Sequence, residues 1–178
     1  MENDVRELLV AQLKDAYSAE KQALRAMQKS VRQASDPTLK DCITLHIEQS
    51  QAQIEKVEQA LESLGAKPGR VVCEAMRGLV EEGTHEMEDH EKGPILDLVI
   101  VASMQRIEHY EIAAYGTDIA LAQALGEGTV VALLEEILAE EKQTDVKLTE
   151  VTQSSLMAAA MGGAAANDAK SGGKRKAS

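Results

Sequence analysis

The sequence predicts an all-α fold: an antiparallel four-helix bundle with one long crossover that contains an extra short helix. Three observations predict it. Apolar residues make up 44% of the 178 residues, yet aromatics are only 2%, with no Phe and no Trp. Ala, Leu, Ile, Val and Met must therefore fill the core, which suits close helix packing better than a sheet. Apolar positions recur at helical spacing in five stretches, in the order long, long, short, long, long. The three prolines, Pro37, Pro68 and Pro94, fall at breaks between those stretches, so long uninterrupted helices are possible.

The first stretch runs from about Glu2 to Ala34, with Leu9, Leu13, Tyr17, Leu24, Met27 and Val31 on one face. Ser35-Asp36-Pro37 ends it, and Asp36 is a good N-cap before a Pro at the first position of the next helix. That second helix runs to Leu64, with Leu39, Ile43, Val57 and Leu61 on its stripe, and Gly65-Ala66-Lys67-Pro68-Gly69 stops it. A shorter helix spans about Val71 to Asp89, weakened by Gly78 and Gly83. The fourth runs from Pro94 to about Leu125 and turns at Gly126-Glu127-Gly128. The fifth runs from Thr129 to about Ser155, with Val131, Leu134, Leu138 and Leu148 inward. Two helical hairpins are thus joined by a crossover, in one domain over residues 1–156. The Ala- and Gly-rich segment 157–178 holds almost no large apolar residue and ends in a basic run; it reads as a disordered, solvated tail.

The net charge of −11 disfavours nucleic acid and anionic membranes as partners of the folded part. No membrane span and no signal peptide is legible, so a cytoplasmic location is expected. Cys42 and Cys73 match no zinc or redox spacing and read as reduced, inert thiols.

Acids interrupt the apolar stripes. Glu20 falls between Tyr17 and Leu24, Glu108 and Glu111 flank the inward line of the fourth helix, and Glu141 and Asp145 fall between Leu138 and Leu148. The second helix brings His46, Gln49 and Gln53 to its inward face instead, with Glu48 outward. Gln49 and Gln53 stand 92 residues before Glu141 and Asp145, which makes the two hairpins resemble diverged copies with one polar layer at matching height. Several carboxylates facing one helical core are costly unless something cationic neutralises them. Two divalent ions would do so, and all-oxygen ligation favours iron or manganese. The competing reading is a polar layer neutralised by Lys, Arg or water, although Arg25 and Arg106 point elsewhere. His46 is open between a ligand role and a hydrogen-bonded core histidine. Tyr17 and Tyr115 are open between hydrogen bonding to the acids and plain packing.

The segments LKDAYSAEKQ, HIEQSQAQIEKVEQ, MQRIEHYEIAAYGT and LAEEKQTDVKLTEV, with CEAMRGLVEE from Cys73, resemble the bacterial ferritin-like family that includes the YciE and YciF proteins. The resemblance covers about residues 3 to 153. It implies a ferritin-like bundle, the arrangement of four helices with one long crossover. It also implies a homodimer, a dinuclear site and a link to stress responses. By position, Glu20, Glu108, Glu111 and Glu141 would be metal ligands and Asp145 a fifth, holding two Fe or Mn ions that could meet a small oxidant. Gln49 departs from the Glu expected there, which removes one charge and one bridge. The alternative is therefore a structural or interaction protein that keeps the fold with a degenerate site.

Overall fold

The computed structural model describes residues 2–162, and the basic end of the tail lies outside the described residues. Five α-helices follow one another: α1 Glu2–Gln33, α2 Pro37–Ser63, α3 Glu74–Glu88, α4 Pro94–Ala124 and α5 Gly128–Val151. A π-helical turn, Thr152–Leu156, follows α5, and residues 157–162 carry the helical run on beyond the expected end. The Ala-rich Met157–Met161 segment favours that continuation by intrinsic propensity.

Local chemistry sets the ends. The Asp36 side chain accepts from Leu39 N–H at 2.9 Å and starts α2. At the end of α2, Ala66 N–H reaches Leu61 O and Gly65 N–H reaches Glu62 O, with Gly65 at φ +72°. The end of α4 repeats this pattern, with Glu127 N–H on Ala122 O, Gly126 N–H on Gln123 O and Gly126 at φ +71°. Both are Schellman motifs, which need a residue free to adopt the left-handed region. The short helix begins three residues later than expected. Cys73 caps it, its thiol accepting from Met76 N–H at 3.4 Å, while Val71 and Val72 stay in the linker.

The pairings α1·α2 and α4·α5 form the two hairpins, and α2·α5 and α1·α4 close the bundle; α3 packs outside against α4 and α1. Two apolar clusters fill the ends of the bundle. One gathers Leu9, Leu13, Val57, Leu61, Tyr115, Leu134 and Ile137. The other gathers Met27, Leu39, Ile43, Ile100, Met104, Leu148 and Leu156. Between them lies a buried polar layer from α1, α2, α4 and α5. Among the described residues no helix is long and apolar enough to cross a membrane.

Asp97 locks the two hairpins together. It is buried at the start of α4, and its carboxylate accepts from Ser35 N–H at 2.7 Å, Asp36 N–H at 3.0 Å and the Ser35 hydroxyl. The turn between α1 and α2 is thereby fastened to the second hairpin.

Candidate metal centre

The polar layer is built from helix positions that would otherwise carry core side chains. Glu20, His46, Glu108, Glu111 and Glu141 are all buried, none more than 3% exposed. His46 comes from α2, where His46, Ser50, Gln53 and Val57 form the buried line; on α5 the line is Ile137, Glu141, Thr144 and Leu148.

Two expected residues stand elsewhere. Asp145 is half-buried at the edge of α5, where Gln105 Nε2 donates to it at 2.9 Å and His109 Nε2 lies 3.4 Å away. Thr144 takes the inward place. Gln49 is only partly buried, and Ser50 holds the buried position. In both helices the buried place lies one residue from the expected one: Ser50 beside Gln49 on α2, and Thr144 beside Asp145 on α5. One residue along a helix is a rotation of about 100°. Gln53 is buried, and its amide donates to Glu140 Oε2 at 2.9 Å, an oxygen pair also held by Lys56.

His46, Glu108 and Glu141 each offer one ligand atom, all within 4.8 Å of one another. His46 Nε2 lies 3.1 Å from Glu108 Oε1 and 3.6 Å from Glu141 Oε2. The other ring nitrogen, Nδ1, lies 3.2 Å from the Thr144 hydroxyl, and that hydroxyl donates to Glu140 O at 3.1 Å. The Thr144 hydroxyl thus holds the His46 ring from its Nδ1 side and turns Nε2 toward the carboxyl groups of Glu108 and Glu141, the orientation in which an imidazole can join carboxylates around a metal ion. On the other side of the layer, Tyr115 OH donates to Glu20 Oε1 at 2.5 Å. The structure thus resolves Tyr115 as a hydrogen-bonding partner of an acid. Tyr17 is packed at the edge of the core, with Lys21 over its ring.

The carboxyl groups are starved of partners. Both oxygens of Glu108 and of Glu141, with Glu20 Oε2 and Glu111 Oε1, lack hydrogen-bond donors among the described residues. Burial, then the charge of Glu141, pushes the Glu20 carboxyl up to about 8. Burial, opposed in part by the neighbouring Glu141 carboxyl, leaves Glu108 at about 7. Glu111 lies well above the carboxylate range through burial and the charges of Glu20, Glu141 and Glu108, and Glu141 through burial and Glu108. Four acids in one dry layer cannot all ionise without cations beside them. Among the described residues no Lys or Arg pairs with these oxygens, so the layer must hold either protons or metal ions. Formally, four carboxylates and a neutral imidazole match the charge of two divalent ions.

Comparison with known proteins agrees with this architecture. A family model described as a domain of unknown function, DUF892, matches residues 4–161. This chain belongs to the DUF892 family. Protein YciF of Escherichia coli is 42% identical over 148 residues, covering 83% of this chain and 89% of the relative. The crystal structure of that DUF892 relative, described as a stress protein, matches with a TM-score of 0.79 over 83% of this chain and 93% of its own. YcfI of Rhodopseudomonas palustris matches with a TM-score of 0.79 at 41% identity, over 82% of this chain and 92% of its own. A ferritin-like, diiron-carboxylate protein of Bacillus anthracis matches with a TM-score of 0.65 at 16% identity, over 83% of this chain and 96% of its own. The DUF892 fold of this chain is accordingly ferritin-like.

Proposed function

We propose that this chain binds two iron or manganese ions in its polar layer and uses them against oxygen or peroxide under stress. The observation that carries the reading is the buried group of His46, Glu108 and Glu141, whose ligand atoms lie within 4.8 Å of one another in a layer of carboxyl oxygens short of donors. Glu20, Glu108, Glu111, Glu141 and His46 would hold the ions. Bound iron or manganese would supply one-electron redox chemistry. The chain's own groups prepare the site. Thr144 holds the imidazole ring, Tyr115 orients Glu20, and the apolar clusters on either side exclude water. The relative described as a stress protein and the fold neighbour described as diiron-carboxylate support the reading.

Elemental analysis after purification with iron or manganese tests it. About two ions per chain are expected. Glu108→Gln and Glu141→Gln replace a carboxyl by a neutral isostere, so the metal-free variants should melt no lower than the metal-free parent yet lose the metal. Protein that stays metal-free, or variants that retain full occupancy, would overturn the proposal in favour of a structural role for the bundle.

A further inference from the structure

A second site lies on the outer face of α1, away from the polar layer. A cleft of about 300 Å³ opens where α1 meets the linker between α2 and α3. Lys14, Lys21 and Arg25 line it from α1, with Tyr17 and Ser18 between them. Their spacing puts all three cations on one side of the helix. Among the described residues no carboxylate lines the cleft, although the chain carries 30 acids against 19 basic residues. Some cations elsewhere are paired: Arg6 with Glu127, Lys56 with Glu136 and Glu140, Arg77 with Glu74, Arg106 with Glu86. Lys14, Lys21 and Arg25 have no ion-pair partner among the described residues; Lys21 instead sits over the Tyr17 ring, 5.1 Å from its centroid.

The uncharged groups of the cleft also have donors to spare. The Ser18 oxygen accepts from Cys73 N–H at 3.0 Å and from the Gln22 amide at 3.3 Å, which leaves its own proton unspent. The Tyr17 hydroxyl and the N–H groups of Gly69 and Val72 make no hydrogen bond among the described residues. A lining of cations and unspent donors, without an acidic acceptor, selects an anion of more than one charge and several oxygens. Arg25 can grip such oxygens in pairs, and the lysines act as point charges. We propose that this cleft is a phosphate-binding site that takes the di- or triphosphate group of a small molecule. The site is independent of the metal reading, because it shares no ligating residue with the polar layer. The shared chemistry is the phosphate chain, whether inorganic or carried by a nucleotide.

Isothermal titration of the full chain with inorganic pyrophosphate, inorganic triphosphate and ATP, without added divalent ions, tests the proposal. Saturable binding is expected to all three or to those with the longer phosphate chain. Equal affinity for triphosphate and ATP would make the phosphate group the whole ligand; tighter ATP would make it a nucleotide. Lys21→Gln and Arg25→Gln should each weaken binding about tenfold, and Lys142→Gln, on the exposed face of α5, should leave it unchanged. Added salt should weaken binding, as it does for contacts between exposed charges. Melting curves confirm that the variants fold. Absence of saturable binding to any of the three anions, or equal binding by parent, Lys21→Gln and Arg25→Gln, would overturn the site.

Discussion

Thr144 shows how one hydroxyl can hold a buried histidine. It donates to the carbonyl one turn back and lies 3.2 Å from His46 Nδ1. Thr144→Val keeps the shape and removes the hydroxyl. The variant should lose about 1–2 kcal/mol in urea denaturation, because the buried Nδ1 loses its partner. Asp118 is a different residue-scale case, buried on α4 with both oxygens lacking donors among the described residues. Burial, then Asp15, pushes it from 3.8 up to about 7. The folded state therefore holds a proton that the unfolded state releases, so stability is greatest below the unfolded value and falls as pH rises toward 7. The slope reaches at most about 1.4 kcal/mol per pH unit for one proton. Asp118→Asn should be more stable than the parent at pH 8, with the gap closing toward acid pH in thermal melts.

At the scale of elements, α3 docks through a glycine. A Cβ on Gly83 would lie 1.9 Å from Ser103 Oγ and 2.9 Å from Ser103 Cβ. The hydroxyl could rotate away, but the Cβ of α4 cannot. Gly83→Ala should therefore cost about 1–3 kcal/mol through overpacking, despite the better helix propensity of alanine. The double variant Gly83→Ala, Ser103→Gly should recover part of that loss in chemical denaturation. From sequence, Gly83 reads as a weak point in a short helix; in the fold its missing side chain leaves room for Ser103 of α4. Asp97 was equally illegible, because an acid in the first turn of a helix looks like an ordinary partner of the helix dipole. Its real partners, Ser35 and Asp36, lie across a hairpin.

For the whole molecule, the polar layer divides the core into two apolar blocks, and the occupant of that layer should govern stability. Under the proposed reading, iron or manganese at one hundred times its Kd would add about 2.7 kcal/mol. For a chain of this size the melting temperature should then rise by about 5–10 °C, and chelation should reverse the gain. Scanning calorimetry with and without metal measures it.

Periodicity and breaker residues are enough to place the helices, their order, the crossover, and the glutamates that face inward. Glu20, Glu108, Glu111 and Glu141 interrupt long apolar stripes, and their burial follows from a periodicity that many residues enforce together. Only the tertiary structure decided the layer's finer composition: Thr144 in place of Asp145, Ser50 in place of Gln49, and His46 close to Glu108 and Glu141. Helix rotation is fixed by packing between helices far apart in sequence, and a change of one residue in alignment turns a side chain by about 100°. Local periodicity can place a stripe, but contact across the bundle chooses which residue stands at its centre.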